Sequence, residues 1–199
     1  DRGYTLYRLF EPDFQEGKHA FSLMFNDKLN AKHTVRAGAV LTRLWFDFAN
    51  ADHVYLPEQQ KIPLLDFNGN SELLQSYVQW KYRITGELTL NAGMHYLHYF
   101  LNGRNSPEPR ASLKWNFRPA QSLSLGYGMH TRLLPAGIYF GETAGTNGER
   151  LRPNKDLDFV HSSHYVLAYD NLLSENVRLK LETYYQDVTR APVLADVNN

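Results

Sequence analysis

The chain has 199 residues and no net formal charge, so its bulk electrostatics give no reason to expect a nucleic-acid partner. It contains no cysteine, which excludes a disulfide framework and zinc–thiolate sites. Aromatic residues make up 14% of the chain, including 13 tyrosines, and no apolar run approaches the roughly 18 residues of a transmembrane helix.

Apolar and polar side chains alternate along most of the chain, which is typical of β-strands because successive side chains point to opposite faces. Residues 1–17 are expected to form a loop or a short extension. The alternation and the turn residues then predict eight strands, at 19–29, 33–48, 72–84, 88–100, 110–117, 122–132, 162–171 and 177–189. The pattern is least clear in the second strand, where Val40, Leu44 and Phe46 place apolar side chains on the otherwise polar side.

The connections between these strands alternate in length. Short turns are predicted at 30–32, 85–87, 118–121 and 172–176, and long loops at 49–70, 101–109 and 133–160. Outer-membrane barrels have the same asymmetry, with tight turns on one side and extended loops on the other. We therefore predict an all-β fold, an antiparallel up-and-down meander that is part of a transmembrane β-barrel, with residues 1–199 forming one barrel segment.

The clearest strand pair, within residues 161–186, has one apolar face with aromatics near its end and one fully charged face. Along the whole chain, aromatic residues concentrate at both ends of the apolar faces, as the two interfaces of a bilayer select. The alternative is a soluble β-sandwich, which also alternates polar and apolar residues. Its strands average roughly five to six residues, about half the length predicted here.

No residue pattern supports catalysis or cofactor binding, since GxSxG, HExxH and CxxC motifs are all absent. The glycines at 126 and 128 lack the GK[ST] sequence and the following helix of a phosphate loop, and are expected to let a barrel wall pack or bend. The histidine pairs His95/His98 and His161/His164 are each three residues apart. That spacing puts the two rings on opposite faces of a strand, so no metal site is predicted.

Basic residues concentrate on the polar parity of the predicted strands, whereas most acidic residues lie in loops and turns. Asp170 and Glu182 are the acids expected among them. Such a wall can face water and an anionic solute, contact an acidic or hydrogen-bonding protein, or simply be a solvated polar surface. The residues of this predicted lumen-facing basic wall are Arg36, Lys81, Arg83, Arg110, Lys114, Arg132, Arg178 and Lys180.

Several strand segments resemble the barrel of TonB-dependent outer-membrane receptors of the type abundant in Bacteroidetes. The resemblance covers most of residues 18–190 and is densest from 154 to 186. It is carried by residues 77–83 (YVQWKYR), 88–93 (LTLNAG), 109–115 (PRASLKW), 122–128 (SLSLGYG), 154–157 (NKDL), 163–167 (SHYVL), 176–180 (NVRLK) and 184–186 (YYQ). The resemblance implies a large barrel in the Gram-negative outer membrane, plugged by an N-terminal domain, that imports siderophores, vitamins or glycans with energy relayed by TonB.

The chain departs from that family in having no plug segment, far fewer than about 22 strands, and no terminal aromatic strand, since it ends in Val197, Asn198 and Asn199. The resemblance therefore implies an internal piece of the barrel. Its expected partners are membrane lipid, the plug domain of the same protein and, indirectly, the TonB system, with the substrate undefined. The alternative is a complete eight-stranded outer-membrane protein with a structural, adhesive or narrow-pore role.

Overall fold

A single antiparallel sheet of eight long strands dominates the computed structural model, which describes residues 10–53, 61–144 and 149–193. A short helix and a small two-stranded hairpin lie between the sixth and seventh long strands. In chain order the elements are β1 (Phe10–Asp27), β2 (His33–His53), β3 (Lys61–Arg83), β4 (Leu88–Tyr99), β5 (Arg104–Arg118), β6 (Gln121–Arg132), α1 (Ala136–Phe140), β7 (Thr143–Ala144), β8 (Arg150–Leu151), β9 (Val160–Ser174) and β10 (Val177–Thr189).

The strands of the large sheet are arranged in the order β1-β2-β3-β4-β5-β6-β9-β10, and each neighbour is antiparallel to the next. Every connection in this sheet therefore joins adjacent strands. The prediction of an all-β antiparallel meander is confirmed. Within the described residues, β1 and β10 are the two edges of the sheet and do not pair with each other.

Side-chain oxygens hold the short turns. Asn30 Oδ1 accepts hydrogen bonds from the backbone N–H groups of Lys32 (2.8 Å) and His33 (3.0 Å). Thr85 Oγ1 does the same for Glu87 (3.2 Å) and Leu88 (3.0 Å). Asn and Thr satisfy turn backbone groups that the strand ladder cannot reach, which fixes the register of the two strands that each turn joins.

The predicted loop at 49–70 is largely strand. β2 continues to His53 and β3 begins at Lys61. The two strands, of 21 and 23 residues, stay paired over almost their whole lengths. Roughly nine to eleven residues suffice to cross a bilayer, so each of these strands is about twice as long as a crossing needs. The alternation did not reveal this extension because Phe48 and Phe67 lie on the otherwise polar side of the strands and pack against Phe140. Residues 54–60 lie outside the described part.

The other loop predictions are corrected in the same way. β1 begins at Phe10, so the strand includes half of the predicted 1–17 loop, and residues 1–9 lie outside the described part. β5 begins at Arg104 and therefore takes up most of the predicted 101–109 loop. Pro107 and Pro109 fit because β6 pairs with β5 only from Arg110 onward, which leaves that side of the strand without a ladder.

The segment 133–159, predicted as a loop, folds back onto the sheet and is called the cap below. Its helix α1 buries Tyr139 and Phe140, and a third buried aromatic, Phe159, precedes β9. These rings form the main apolar core together with residues of β2 and β4: Phe46, Phe48, Leu97 and Tyr99. Residues 145–148 lie outside the described part, and no described helix is both long and apolar enough to cross a membrane.

Candidate functional site: the polar face of the sheet

The ladder registers divide the eight strands into two faces. The apolar face carries Val78, Leu113, Leu125 and Leu181, and the polar face carries the side chains of alternate parity, such as Lys81 and Lys114. Leu125 is 61% exposed, and most large apolar side chains of its face are exposed as well. An extended apolar surface of this kind requires a nonaqueous environment or a partner.

All eight residues of the predicted basic wall lie on the polar face. Two residues that are partners across a ladder point to the same face of the sheet. The partners of Arg36, Lys81 and Arg110 on the polar face are Gln79, Asn91 and Gly93, respectively. The remaining assignments use the same registers: Arg83 with Thr89, Lys114 with Ser124, Arg132 with Val160, Lys180 with Asp170, and Arg178 with Leu172. One surface therefore holds all eight, although they are spread over most of its width and do not form one cluster.

Glu108 is the most buried charged group of this face, at 2% exposure. Its Oε2 accepts hydrogen bonds from His95 Nδ1 (3.0 Å) and Arg110 Nη2 (2.8 Å). Its Oε1 accepts from the Thr131 backbone N–H (3.1 Å) and also from the Thr131 hydroxyl. Both carboxylate oxygens are thus fully used, as a buried charge requires.

The position of Glu108 explains how the sheet tolerates the gap between β5 and β6. β5 and β6 are not paired on the N-terminal side of Arg110. There the carboxylate of Glu108 accepts the hydrogen bond of the Thr131 N–H in place of a β5 carbonyl. Sequence reasoning missed this residue because Pro107 and Pro109 suggested a loop. Two prolines on one parity, with an acid between them, are compatible with a strand that is unpaired on one side.

A second polar group lies where β6 and β9 face each other. His130 and His164 have ring centroids 4.9 Å apart. Ser162 Oγ lies 2.9 Å from His164 Nε2 and accepts a hydrogen bond from Gln186 Nε2 (2.8 Å). His95 and His98, like His161 and His164, lie on opposite faces according to the ladder registers. In the described residues, no group of three or more His, Cys, Asp or Glu side chains could hold a metal ion.

The two acids that were expected among the basic residues form ion pairs near the short turns. The Arg178 Nε donates to both oxygens of Asp170, at 2.9 and 2.8 Å. Lys180 Nζ lies 2.6 Å from Glu182 Oε2. Both pairs are substantially exposed, so each contributes little to stability.

Aromatic side chains form two groups on the apolar face. Near the short turns, the His33 ring stacks on Trp80 (5.6 Å) and Tyr82 (4.5 Å), and Trp80 Nε1 donates to His33 Nδ1 (3.1 Å). Trp45 lies farther along the same face of β2, with its ring over Gly17, where a β-carbon would be only 2.3 Å away. From His33 to Trp45 is roughly 40 Å of strand, which a tilt of about 45° projects to near 28 Å, close to the thickness of a bilayer's hydrocarbon core.

The cap covers the polar face at the end opposite the short turns. Phe140 stacks on Phe67 with ring centroids 3.6 Å apart, and Arg152 lies over the same Phe67 ring at 5.1 Å. Asn102 Nδ2 donates to the carbonyls of Lys155 (3.2 Å) and Leu157 (3.0 Å), which ties the cap to the β4–β5 turn. The cap therefore belongs to the same surface as the basic residues and closes one end of it.

The chain matches a known protein family. A family model described as "TonB dependent receptor-like, beta-barrel" matches residues 2–199, which is nearly the whole chain. A search of curated proteins finds no match. The matched family is one of outer-membrane receptor and transporter barrels in Gram-negative bacteria, not a family of enzymes.

Proposed function

Because the chain belongs to the TonB-dependent receptor-like β-barrel family, we propose that it forms part of the wall of a barrel that imports a scarce nutrient across the outer membrane in a TonB-dependent manner. The match over residues 2–199 is the observation that carries this proposal. The nutrient class is a siderophore, a vitamin or a glycan. The chain has no catalytic role in this process.

The two faces of the sheet support the proposed placement. The apolar face, with aromatic groups at both ends, suits contact with lipid. The polar face then forms the lumen wall, and its eight basic residues face water, solute or protein. Unpartnered charges cannot remain buried without a cost of several kcal/mol each, so this wall must stay hydrated or meet complementary groups.

We also propose that a plug domain of the same protein fills the lumen and supplies part of those complementary groups. The basic side chains of the wall outnumber the carboxylates of Glu108, Asp170 and Glu182 on the same face. The surplus favours a plug surface that is acidic or rich in hydrogen-bond acceptors. TonB acts on the plug, so its contact with this chain is indirect.

The alternative of a complete eight-stranded barrel requires β1 and β10 to pair with each other. In the described sheet these strands are the two edges, and β10 is exposed along its length. Strands from the rest of a wider barrel would satisfy both edges. We therefore favour the receptor.

The test is an uptake assay in the bacterium that encodes the intact protein. Deleting the gene should abolish growth on one limiting iron complex, cobalamin or glycan, and removing TonB should abolish the same growth. Re-expressing the receptor should restore growth only when TonB is present. Uptake that depends on the gene but persists without TonB would identify a passive pore and overturn the proposal.

A further inference from the structure

A recess opens in the middle of the polar face, where glycines interrupt a row of larger side chains. Gln79, Gly93, Arg110, Gly128 and His164 are successive ladder partners from β3 to β9. Gly93 and Gly128 bring no side chain to either side of Arg110, and a β-carbon there would come within 2.7 Å of the Val78 carbonyl oxygen or 3.1 Å of His130 Nε2. The resulting recess has a volume of about 340 Å³.

We propose that this recess binds an anionic group, a carboxylate or a phosphate, through Arg110, His130 and His164. The inference rests on the proposed function, because it takes the polar face to be the wall of a lumen. It concerns a site on the barrel wall itself and assigns it one ligand chemistry.

Arg110 has donors available for such a group. Its Nη2 donates to Glu108, but its Nε is buried and has no hydrogen-bond partner among the described residues. Glu108 cannot take more donors readily, because His95 and Thr131 also occupy its oxygens. A guanidinium with spare N–H groups in a fixed fork matches the geometry of carboxylate and phosphate oxygens.

The two histidines add donors on the other side of the recess. Ser162 Oγ lies 2.9 Å from His164 Nε2, and in the tautomer whose Nε2 accepts the Ser162 hydroxyl proton, the imidazole proton of His164 is on Nδ1. A β-carbon at position 128 would lie 3.1 Å from His130 Nε2 and 3.7 Å from Arg110 Cγ. Glycine at 128 therefore permits the His130 imidazole and the aliphatic stem of Arg110 to approach the same spot.

The surrounding charge favours an anion over a cation or a neutral sugar. A second recess of about 340 Å³ adjoins the first through Gln79 and Asn91, and it is lined by Arg36 and Lys81. The one carboxylate beside the first recess, Glu108, is neutralised by its own partners. Cations lie on two sides, and no carboxylate is among the described residues that line either recess, so the site has a positive potential that a neutral ligand would not use.

The experiment is isothermal titration of the purified intact receptor with inorganic phosphate at constant ionic strength. Phosphate should bind the wild type, and Arg110→Gln should weaken the apparent Kd about tenfold or more, as expected for a lost hydrogen bond to a charged group. Arg118→Gln is the matched control, because it removes a cation from the same strand but lies outside the recess and outside the basic wall. It should bind phosphate as the wild type does.

A second variant keeps the test valid if Arg110→Gln fails to fold. Gly126→Val retains every polar group, and a β-carbon at 126 meets only Ser112 and Val166, both at 3.9 Å. Its methyl groups project into the recess and should weaken phosphate binding by a similar factor. Equal phosphate binding in the wild type, Gly126→Val and Arg118→Gln would overturn the proposal.

The anion can come from a solute or from an acidic side chain of the plug, and plug release separates these sources. If a plug carboxylate fills the recess, phosphate will not bind the intact receptor. Gly126→Val, but not Arg118→Gln, will then lower the urea concentration at which proteolysis shows the plug leaving the barrel. No phosphate binding together with an unchanged plug would also overturn the proposal. Neither measurement needs TonB, so failure of the proposed uptake function would not alter the result.

Discussion

At the scale of single residues, Glu108 is the group on which the middle of the sheet depends most. Replacing it with alanine would leave Arg110 and His95 without their partner and free the Thr131 N–H. Breaking a buried charge pair by removing one partner costs roughly 3–5 kcal/mol. Because Arg110 is partly exposed, we expect Glu108→Ala to lower the unfolding free energy by about 3 kcal/mol, measured by urea titration of the intact receptor in lipid vesicles.

Glu182→Ala is the control for that measurement. Its carboxylate lies on the same face and pairs with Lys180, but its side chain is 44% exposed. Exposed ion pairs contribute about 0–1 kcal/mol, so the control should unfold nearly as the wild type does. Similar losses of unfolding free energy in the two variants would show that the buried Glu108 network does not stabilise the sheet more than an exposed ion pair does.

Tyr139 gives the cap a dependence on pH. Burial raises the pKa of its hydroxyl, and the nearby Asp158 carboxylate adds to the increase, although the Leu134 N–H that donates to this hydroxyl acts in the opposite direction. A tyrosine in an unfolded chain titrates near pH 10. The folded cap therefore keeps this proton when the unfolded one loses it, and its stability is full below about pH 10 and falls above it.

Hydrogen exchange in residues 133–144 and 149–159, followed from about pH 8 to 11, measures this effect after correction for the intrinsic exchange rate. The wild-type cap should lose protection above about pH 10, and Tyr139→Phe should lose less because it has no hydroxyl to ionise. An identical alkaline loss in both proteins would mean that Tyr139 is not responsible.

At the scale of elements, the cap packs through Phe140, which is 2% exposed and contacts Phe46 and Phe67. Truncating a buried phenylalanine costs about 3–5 kcal/mol. Phe140→Ala should therefore open the cap and expose it to proteolysis while the strand ladders remain protected. Leu151→Ala, at an exposed position of the same segment, should change nothing. Equal protease resistance in both variants would contradict this packing.

The assignment of each strand residue to a face could be predicted from the sequence, because alternation survives wherever one face is apolar. The strand ends could not. β2 and β3 continue past the apolar band on backbone pairing, with Phe48 and Phe67 packed against the cap, and Pro107 and Pro109 are residues typical of a loop. Leu44 and Phe46 interrupt the polar pattern of β2 because the cap covers them. A local sequence pattern cannot predict a contact with residues almost 100 positions away.

The candidate site could be predicted only in part for the same reason. The alternation placed the basic residues on a common face, but it could not predict which of them have hydrogen-bond or ion-pair partners. Arg110, Glu108 and His95 belong to one network because β4 and β5 pair in a register that brings His95 opposite Glu108. That register is set by the turn at 100–103, inside a stretch predicted as a longer loop.

At the scale of the whole molecule, the basic wall is expected to matter for plug docking and not for assembly of the barrel. Reversing Arg83 and Lys114 together to glutamate should impair uptake or plug retention, since both lie on the polar face, and leave the amount of folded receptor in the membrane unchanged. Heat-modifiable migration in gels measures the folded fraction, and nutrient accumulation measures uptake.

Matched substitutions on neighbouring residues of β6 test the other face. Leu125→Arg should cost roughly 2–4 kcal/mol if the side chain meets the middle of the bilayer, and should reduce assembly. Ser124→Arg introduces the same group on the polar face, where water or the plug can receive it. Equal assembly of the two variants would contradict the assigned faces.

The most direct measurement of the central claim, a lipid-facing wall with a polar lumen side, is a spin-label scan of residues 111–116 in the intact receptor in lipid bilayers. The chain contains no cysteine, so labels at single introduced cysteines report only these positions once any cysteine elsewhere in the protein is removed. Labels at Ala111, Leu113 and Trp115 should be accessible to oxygen dissolved in lipid, and labels at Ser112, Lys114 and Asn116 to a water-soluble nickel complex, with a period of two. Access of the nickel complex to both sets would show that the apolar face does not contact lipid, and would contradict the claim.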